Sequence, residues 1–90
     1  MTVAETIENK LRQSLAPTRL NVIDESHRHA GHAGARPEGE THFRVEVVSQ
    51  AFDGLSRVDR QRRVYAVLAD EMATRVHALA LTTLTPAEDG

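Results

Sequence analysis

Two stretches with the pattern of β-strands flank a segment that fits neither a helix nor a strand, and this arrangement restricts the topology of the chain. The segment, residues 25–42, holds three of the five glycines and one of the three prolines. It has no apolar repeat of period two or 3.6, and Gly and Pro interrupt both kinds of element. Because a connection without a helix joins the two strands, we expect them to pair antiparallel.

The two strands differ in how clearly the sequence marks them. Leu20 and Val22 indicate a short strand from about Arg19 to Asp24. In residues 41–49 the apolar Phe43, Val45 and Val47 alternate with His42, Arg44, Glu46 and Val48. That alternation is typical of a half-buried strand.

An amphipathic helix precedes the first strand. Its apolar residues recur at every fourth position: Val3, Ile7, Leu11 and Leu15. Thr2 and Glu5 have the spacing of a capping box, in which each side chain accepts a hydrogen bond from the other residue's backbone. Pro17 ends the helix, because proline disfavours helical dihedrals in the residue before it.

The second half of the chain predicts a turn, a helix and a strand. Phe52-Asp53-Gly54 forms the turn, with Gly54 at a positive φ, and Ser56 caps a helix that runs from Arg57 to about Thr74. The apolar set that marks this helix is Val58, Tyr65, Leu68 and Met72, filled out by Val64, Val67 and Ala69. Residues 76–84 form the third strand, and the tail from about residue 85 is expected to be loose.

Together these elements give the order αββαβ in a single domain, residues 1–90. We expect an α+β fold in which two helices cover one face of a three-stranded sheet and the other face stays more open. The sequence does not decide which of the first two strands lies beside the third.

Composition excludes several classes of function. The chain has no cysteine, which rules out disulfides and any thiolate ligand or nucleophile of its own. The formal net charge of −2 argues against strong overall attraction to nucleic acid. No stretch approaches the about 20 apolar residues of a membrane span, so we expect a soluble, cytoplasmic protein without a membrane partner.

The segment between the first two strands is rich in possible metal ligands. His27, His29 and His32 fall within six residues, and imidazole binds transition metals near neutral pH. We expect residues 27–40 to be the most mobile internal segment. The alternative is a solvated loop whose histidines have no role. Zinc held by these three histidines is a weaker hypothesis, because structural zinc sites use four fixed ligands and usually cysteine.

An ordered set of short motifs resembles the BolA family over nearly the whole chain, from about residue 3 to 88. The motifs are Glu25-Ser26 followed by His29, Thr41-His42-Phe43-Arg44-Val45, Val48-Ser49, Phe52-Asp53-Gly54, Arg60 and Arg62, Val76 to Leu81, and Thr85-Pro86. The family often has Arg-His-Arg where this chain has Arg60-Gln61-Arg62.

The resemblance implies a class-II KH-like fold and partnership with a monothiol glutaredoxin. In such a pair a [2Fe–2S] cluster is shared, with thiolates from the glutaredoxin and its bound glutathione. By the resemblance the metal ligands of this chain are His77 and His29, with His32 as the alternative to His29; His27 and His42 are weaker candidates. Such a chain carries no cofactor alone, and it is a monomer or weak homodimer when isolated.

Two other classes of function remain to be compared with this one. A DNA-binding regulator would use the KH-like fold and a basic patch of Arg57, Arg60, Arg62 and Arg63 on and around the outer face of the second helix. Against it, the chain is net acidic and has only three aromatic residues. An enzyme is not expected, because no nucleophile–base pair, phosphate-binding glycine loop or pair of carboxylates in an identifiable pocket is visible.

Overall fold

The computed structural model describes residues 2–25 and 41–89 of the chain. Its helices and strands are α1 (Val3–Leu15), β1 (Arg19–Asp24), β2 (His42–Val48), a 3₁₀ turn (Gln50–Phe52), α2 (Arg57–Val67), α3 (Ala69–Thr74), β3 (Ala78–Leu84) and α4 (Pro86–Asp89). The predicted loop mobility and the histidines His27, His29 and His32 lie outside the described residues.

The three strands form one sheet in the order β1-β2-β3. β1 and β2 pair antiparallel, with Leu20 opposite Val47, which confirms the prediction from the helix-free connection. β3 lies parallel to β2 on the other side, with Ala78 opposite His42. The start of β3 therefore lies beside the start of β2, and this is the point that the sequence left open.

Helix α1 follows its sequence signals closely. Thr2 and Glu5 form the predicted capping box, and all four apolar residues of the predicted stripe are buried. The helix ends at Ala16, whose φ of 44° lies in the left-handed region that alanine rarely adopts. Proline follows directly, so the chain turns sharply towards β1.

One face of the sheet carries the core and the other faces outward, as predicted for this α+β fold. In β2 the core-facing residues Phe43, Val45 and Val47 are at most 2% exposed and pack against α1 and α2 residues. Outward-facing Arg19, Asn21 and Arg44 are exposed. Val48 departs from the expected alternation, since it is buried although it lies on the outward side.

The prediction of one continuous helix from residue 57 to 74 is wrong, and its apolar set is right only in part, because Leu68 is buried and Met72 packs against the core whereas Val58 and Tyr65 are exposed. The helical dihedrals break at Leu68, where φ is −101° and ψ is 20°, and α3 follows α2 from the next residue. Val58 and Tyr65 are 56% and 38% exposed, whereas Val64 and Leu68 are buried. Val58 and Tyr65 are seven residues apart and share one face of the helix, whereas Val64 and Leu68 are four apart and share another. Packing against the sheet buries Val64 and Leu68.

The sequence predicted a loose tail from about residue 85, but residues 86–89 form the helix α4. Thr85 and Glu88 form a capping box at the start of α4: the Thr85 N–H donates to Glu88 Oε1 at 2.8 Å, and the Glu88 N–H donates to Thr85 Oγ1 at 3.3 Å. Two ion pairs connect α4 to the rest of the fold, Arg60–Glu88 at 2.6 Å and Arg19–Asp89 at 2.7 Å. Over residues 2–25 and 41–89, no helix has the length and apolar character needed to cross a bilayer.

Candidate functional site

Two histidines meet at the end of the sheet where β2 and β3 begin. His42 is the first residue of β2, and His77 comes directly before β3, whose first residue is Ala78 rather than the predicted Val76. Since the two strands run parallel, their starting ends lie side by side. The two imidazole rings are stacked with their centroids 6.1 Å apart and an angle of 29° between their planes.

Backbone hydrogen bonds, rather than side-chain contacts, fix the position of His77. The His77 N–H donates to the Thr41 carbonyl at 2.7 Å, and the Ala78 N–H donates to the same oxygen at 3.3 Å. Thr41 is only 1% exposed, so this anchor is part of the packed structure. The Glu25 N–H donates to the His42 carbonyl at 2.8 Å. Residues 25 and 41, which flank the histidine-rich segment, therefore both lie at this end of the sheet.

The two imidazoles differ in their freedom to bind something else. His42 is half-buried, and its Nδ1 shares a hydrogen bond of 2.8 Å with Thr41 Oγ1. His77 is exposed, and within the described part of the chain its imidazole makes no hydrogen bond or ion pair. His77 is thus the more accessible of the two rings.

The described residues do not form a metal site by themselves. Among residues 2–25 and 41–89 there is no group of three or more His, Cys, Asp or Glu side chains that could hold a metal ion. A metal ion bound to an imidazole at this end of the sheet would therefore need further ligands, either from the segment 26–40 or from another molecule. From the sequence alone His42 is a weaker ligand candidate, because its proximity to His77 depends on the strand order, which only the structure shows.

The predicted basic patch is divided by the fold. The side chain of Arg60 is only 13% exposed; its guanidinium donates to the backbone oxygens of Leu55 and Thr83 and pairs with Glu88. The prediction that all four arginines lie on or around the outer face is therefore wrong for Arg60. Its hydrogen bond to Glu88, with the Thr85 backbone N–H adding to it, lowers the pKa of that carboxyl from 4.5 to about 2.

The other three arginines of the patch are exposed. Arg62 forms an ion pair with Asp59 at 3.4 Å. In the described part of the chain, Arg57 and Arg63 have no carboxylate partner. Within the described residues, two exposed positive charges of α2 thus remain uncompensated.

Comparison with known proteins decides the family. The model for the BolA-like protein family matches residues 11–88, which is most of the chain. The chain belongs to the BolA family. The match includes β2, α2, β3 and both histidines of the pair.

Individual BolA-family proteins are similar over nearly the full length of this chain. It is 47% identical over 89 residues to a protein of the cobS 5' region of Sinorhizobium sp, covering 98% of this chain and 96% of the relative. It is 47% identical over 85 residues to the DNA-binding transcriptional regulator BolA of Escherichia coli (strain K12), covering 94% and 77% of the two chains.

The fold comparison agrees with the sequence comparison. BolA1 from Arabidopsis thaliana superposes with a TM-score of 0.88 at 41% identity, covering 98% of this chain and 96% of the other. The chain spans only 54% of the length of the curated chloroplastic protein BOLA1 from Arabidopsis thaliana. The α+β fold with a three-stranded sheet is thus the fold of solved BolA structures.

One feature of this BolA-family chain had no signal in the sequence. A groove of ≈ 280 Å³ lies between α2 and the free edge of β3. It is lined by Arg57, Gln61, Leu81, Thr82, Thr83 and Leu84. It requires a strand at the edge of the sheet, and only the three-dimensional strand order identifies that strand as β3.

Proposed function

We propose that this chain is a non-enzymatic BolA-like protein that binds a monothiol glutaredoxin and completes a shared [2Fe–2S] cluster, in iron–sulfur cluster trafficking or iron regulation. The observation that carries the proposal is the exposed His77 imidazole, held by the backbone beside the base of the histidine-rich segment. Membership of the BolA family supports it, because the sequence motifs around His77 are those by which the chain resembles that family.

The donor set of the chain fits a shared cluster better than one held alone. Iron–sulfur clusters usually take thiolate ligands, and this chain has no cysteine. Histidine replaces cysteine on one iron in a minority of clusters. A chain with imidazoles only can therefore complete a cluster whose thiolates come from a partner and its bound glutathione.

Within this proposal the histidines have different roles. His77 is the first ligand, and His29 is the second, with His32 as the alternative. His42, whose ring stacks on His77 and is tied to Thr41, orients the His77 ring rather than binding iron. Imidazole is a neutral ligand in place of an anionic thiolate, which raises the reduction potential of a bound [2Fe–2S] group.

The test is anaerobic reconstitution of the chain with a monothiol glutaredoxin, glutathione, iron and sulfide, followed by visible absorption and circular dichroism. We expect a mixed-complex spectrum that differs from that of the glutaredoxin alone and is lost in His77→Ala. His29→Ala is expected to weaken the spectrum and His29→Ala/His32→Ala to remove it. His42→Ala removes a ring that orients His77 but is not a ligand, so it is expected to weaken the spectrum without abolishing it. An unchanged spectrum in His77→Ala would show that the ligand assignment is wrong.

DNA binding is the second candidate function, and two observations favour it. One relative is named a DNA-binding transcriptional regulator, and the exposed Arg57 and Arg63 carry charges with no carboxylate partner among the described residues. Because the fold engages Arg60 with Glu88 and pairs Arg62 with Asp59, about two cations remain to contact phosphates. We infer weak binding that does not depend on DNA sequence.

Titration of a fluorescent duplex DNA at several salt concentrations tests this second function. With about two phosphate contacts, the slope of log K against log salt should be about −2. Arg57→Gln/Arg63→Gln should remove most of that slope. Sub-micromolar, sequence-selective binding at physiological salt would contradict the ranking and make DNA binding the primary function.

A further inference from the structure

The free edge of β3 has backbone groups that no other strand of the described sheet pairs with. β3 bonds to β2 on one side only, and Leu84 accepts a hydrogen bond from the Ser49 N–H on that side. Backbone groups alternate in direction along a strand, so those of Leu79, Leu81 and Thr83 point away from β2. Side-chain contacts agree: Tyr65 Oη donates to the Leu79 carbonyl at 3.5 Å and Arg60 donates to the Thr83 carbonyl at 3.3 Å.

These two contacts cover the ends of the edge and leave its middle open. Leu81 lies between the two capped carbonyls, and it lines the groove beside α2. The contacts also show that α2 runs antiparallel to β3, because Arg60 meets Thr83 and Tyr65 meets Leu79. The first turn of α2 therefore lies beside the last residues of β3.

Charge marks one end of this groove. Arg57 lines it together with Gln61, one helical turn further along. Arg57 is exposed, and no carboxylate in the described part of the chain pairs with it. By contrast, Arg60 is compensated by Glu88. A ligand in the groove thus meets the open backbone groups of Leu81 between the two capped carbonyls, and near Leu84 it meets the Arg57 guanidinium, which has no carboxylate partner among the described residues.

The chemistry of the groove selects a peptide over other ligands. A strand edge offers N–H donors and carbonyl acceptors in alternation, and an extended peptide backbone matches both. A phosphodiester backbone has no donor for the carbonyls of Leu79, Leu81 and Thr83. The volume of ≈ 280 Å³ lies just below the range of about 300–1,000 Å³ that drug-sized ligands occupy.

We propose that the groove between α2 and the edge of β3 binds an extended acidic peptide segment, which adds as a strand to β3 and places a carboxylate on Arg57. The Leu81 N–H and carbonyl form the central pair of hydrogen bonds. Tyr65, which makes a long and exposed contact, is displaced from Leu79. This surface is distinct from the His77 end of the sheet, since Leu81 to Leu84 occupy the second half of β3.

The test uses the full chain and a fluorescent, N-acetylated hexapeptide of alternating threonine and valine that ends in two glutamates. We expect saturable binding in fluorescence anisotropy, and amide shifts and slowed hydrogen exchange centred on Leu81 in NMR spectra. Arg57→Gln should weaken binding about five- to tenfold, the loss expected for one charge-assisted hydrogen bond at a partly exposed site. Arg63→Gln removes the same charge outside the groove and should change binding less than twofold.

Two chemical variants of the probe separate strand addition from simple attraction between charges. The same peptide with every backbone nitrogen methylated keeps both glutamates but cannot donate to β3, so it should not bind. A peptide methylated at alternate residues keeps one hydrogen-bonding edge and should bind. Four results would each refute the proposal. They are equal losses in Arg57→Gln and Arg63→Gln, binding of the fully methylated peptide, amide shifts away from β3, and no saturable binding. Tighter binding of a single-stranded oligonucleotide, or of a second copy of the chain, at the same amides would also refute it.

Discussion

The hydroxyl of Ser49 connects the end of α1 to the chain after β2, and its removal gives a sharp test of the packing described above. Ser49 is fully buried; its Oγ donates to the Leu15 carbonyl at 2.5 Å and accepts from the Ala51 N–H at 3.1 Å. The Leu15 carbonyl is one of the last four of α1, which have no partner within a helix. Ser49→Ala therefore leaves a buried carbonyl unsatisfied and uncaps the 3₁₀ turn.

The expected cost adds two effects of known size. Loss of a cap costs about 1 kcal/mol, and an unsatisfied buried polar group costs about 1–3 kcal/mol. We expect Ser49→Ala to lower the free energy of unfolding by about 2–4 kcal/mol, which corresponds to a fall in Tm of about 8–32 °C for a domain of this size.

Urea and thermal unfolding followed by far-ultraviolet circular dichroism measure this loss. Ser56→Ala is the matched control: Ser56 caps α2 through the Asp59 N–H at 3.1 Å, but at an exposed position, so it should cost only about 1 kcal/mol. If Ser49→Ala costs no more than Ser56→Ala, then the buried bond to Leu15 does not contribute as the structure implies, and the reasoning fails.

Three further predictions follow from the contacts of single residues. His77→Ala should change the free energy of unfolding by less than about 0.5 kcal/mol in a urea titration, because the ring is exposed and the backbone holds the residue in place; a larger loss would mean that the ring is structural. Ala16→Gly should raise that free energy by about 0.5–1 kcal/mol, because φ is 44° at this position; a decrease would contradict the left-handed cap. Glu88→Gln should destabilise the protein above pH 4.5, because the folded pKa of Glu88 lies below its ordinary value. The difference in stability from the original chain should vanish as the pH falls towards about 2. A difference that is independent of pH in thermal melts would refute this.

Local signals in the sequence were sufficient where short-range chemistry determines the structure. The capping box at Thr2 and the proline at position 17 indicate the two ends of α1, and the spacing of four indicates its buried face. Alternation around Val45 gave β2, and the helix-free connection gave its antiparallel pairing with β1. The same rules contain one signal that was missed, since Thr85 and Glu88 with Pro86 at the first helical position are a capping box for α4.

Other features depend on packing that no local pattern contains. The helical repeat places Val58 and Tyr65 in one apolar set with Leu68 and Met72, because nothing in the repeat says which of these residues will face the sheet. The break at Leu68 has no Gly or Pro to announce it. The strand order is a choice between two edges of a hairpin, and it decides both the meeting of His42 with His77 and the identity of the free edge at β3.

At the histidine end of the sheet, the fold anchors His77 through backbone atoms and leaves its imidazole available for the proposed ligand role. The position of His77 depends on its N–H and on the buried Thr41 carbonyl, so the imidazole contributes little to holding the chain in place. A side chain that is not needed for packing is free to bind a ligand supplied by a partner, and its loss need not unfold the protein. This separation explains why loss of function and loss of stability should be distinguishable at His77. Arg60, by contrast, has a structural role, because its guanidinium bonds both to the edge of β3 and to α4.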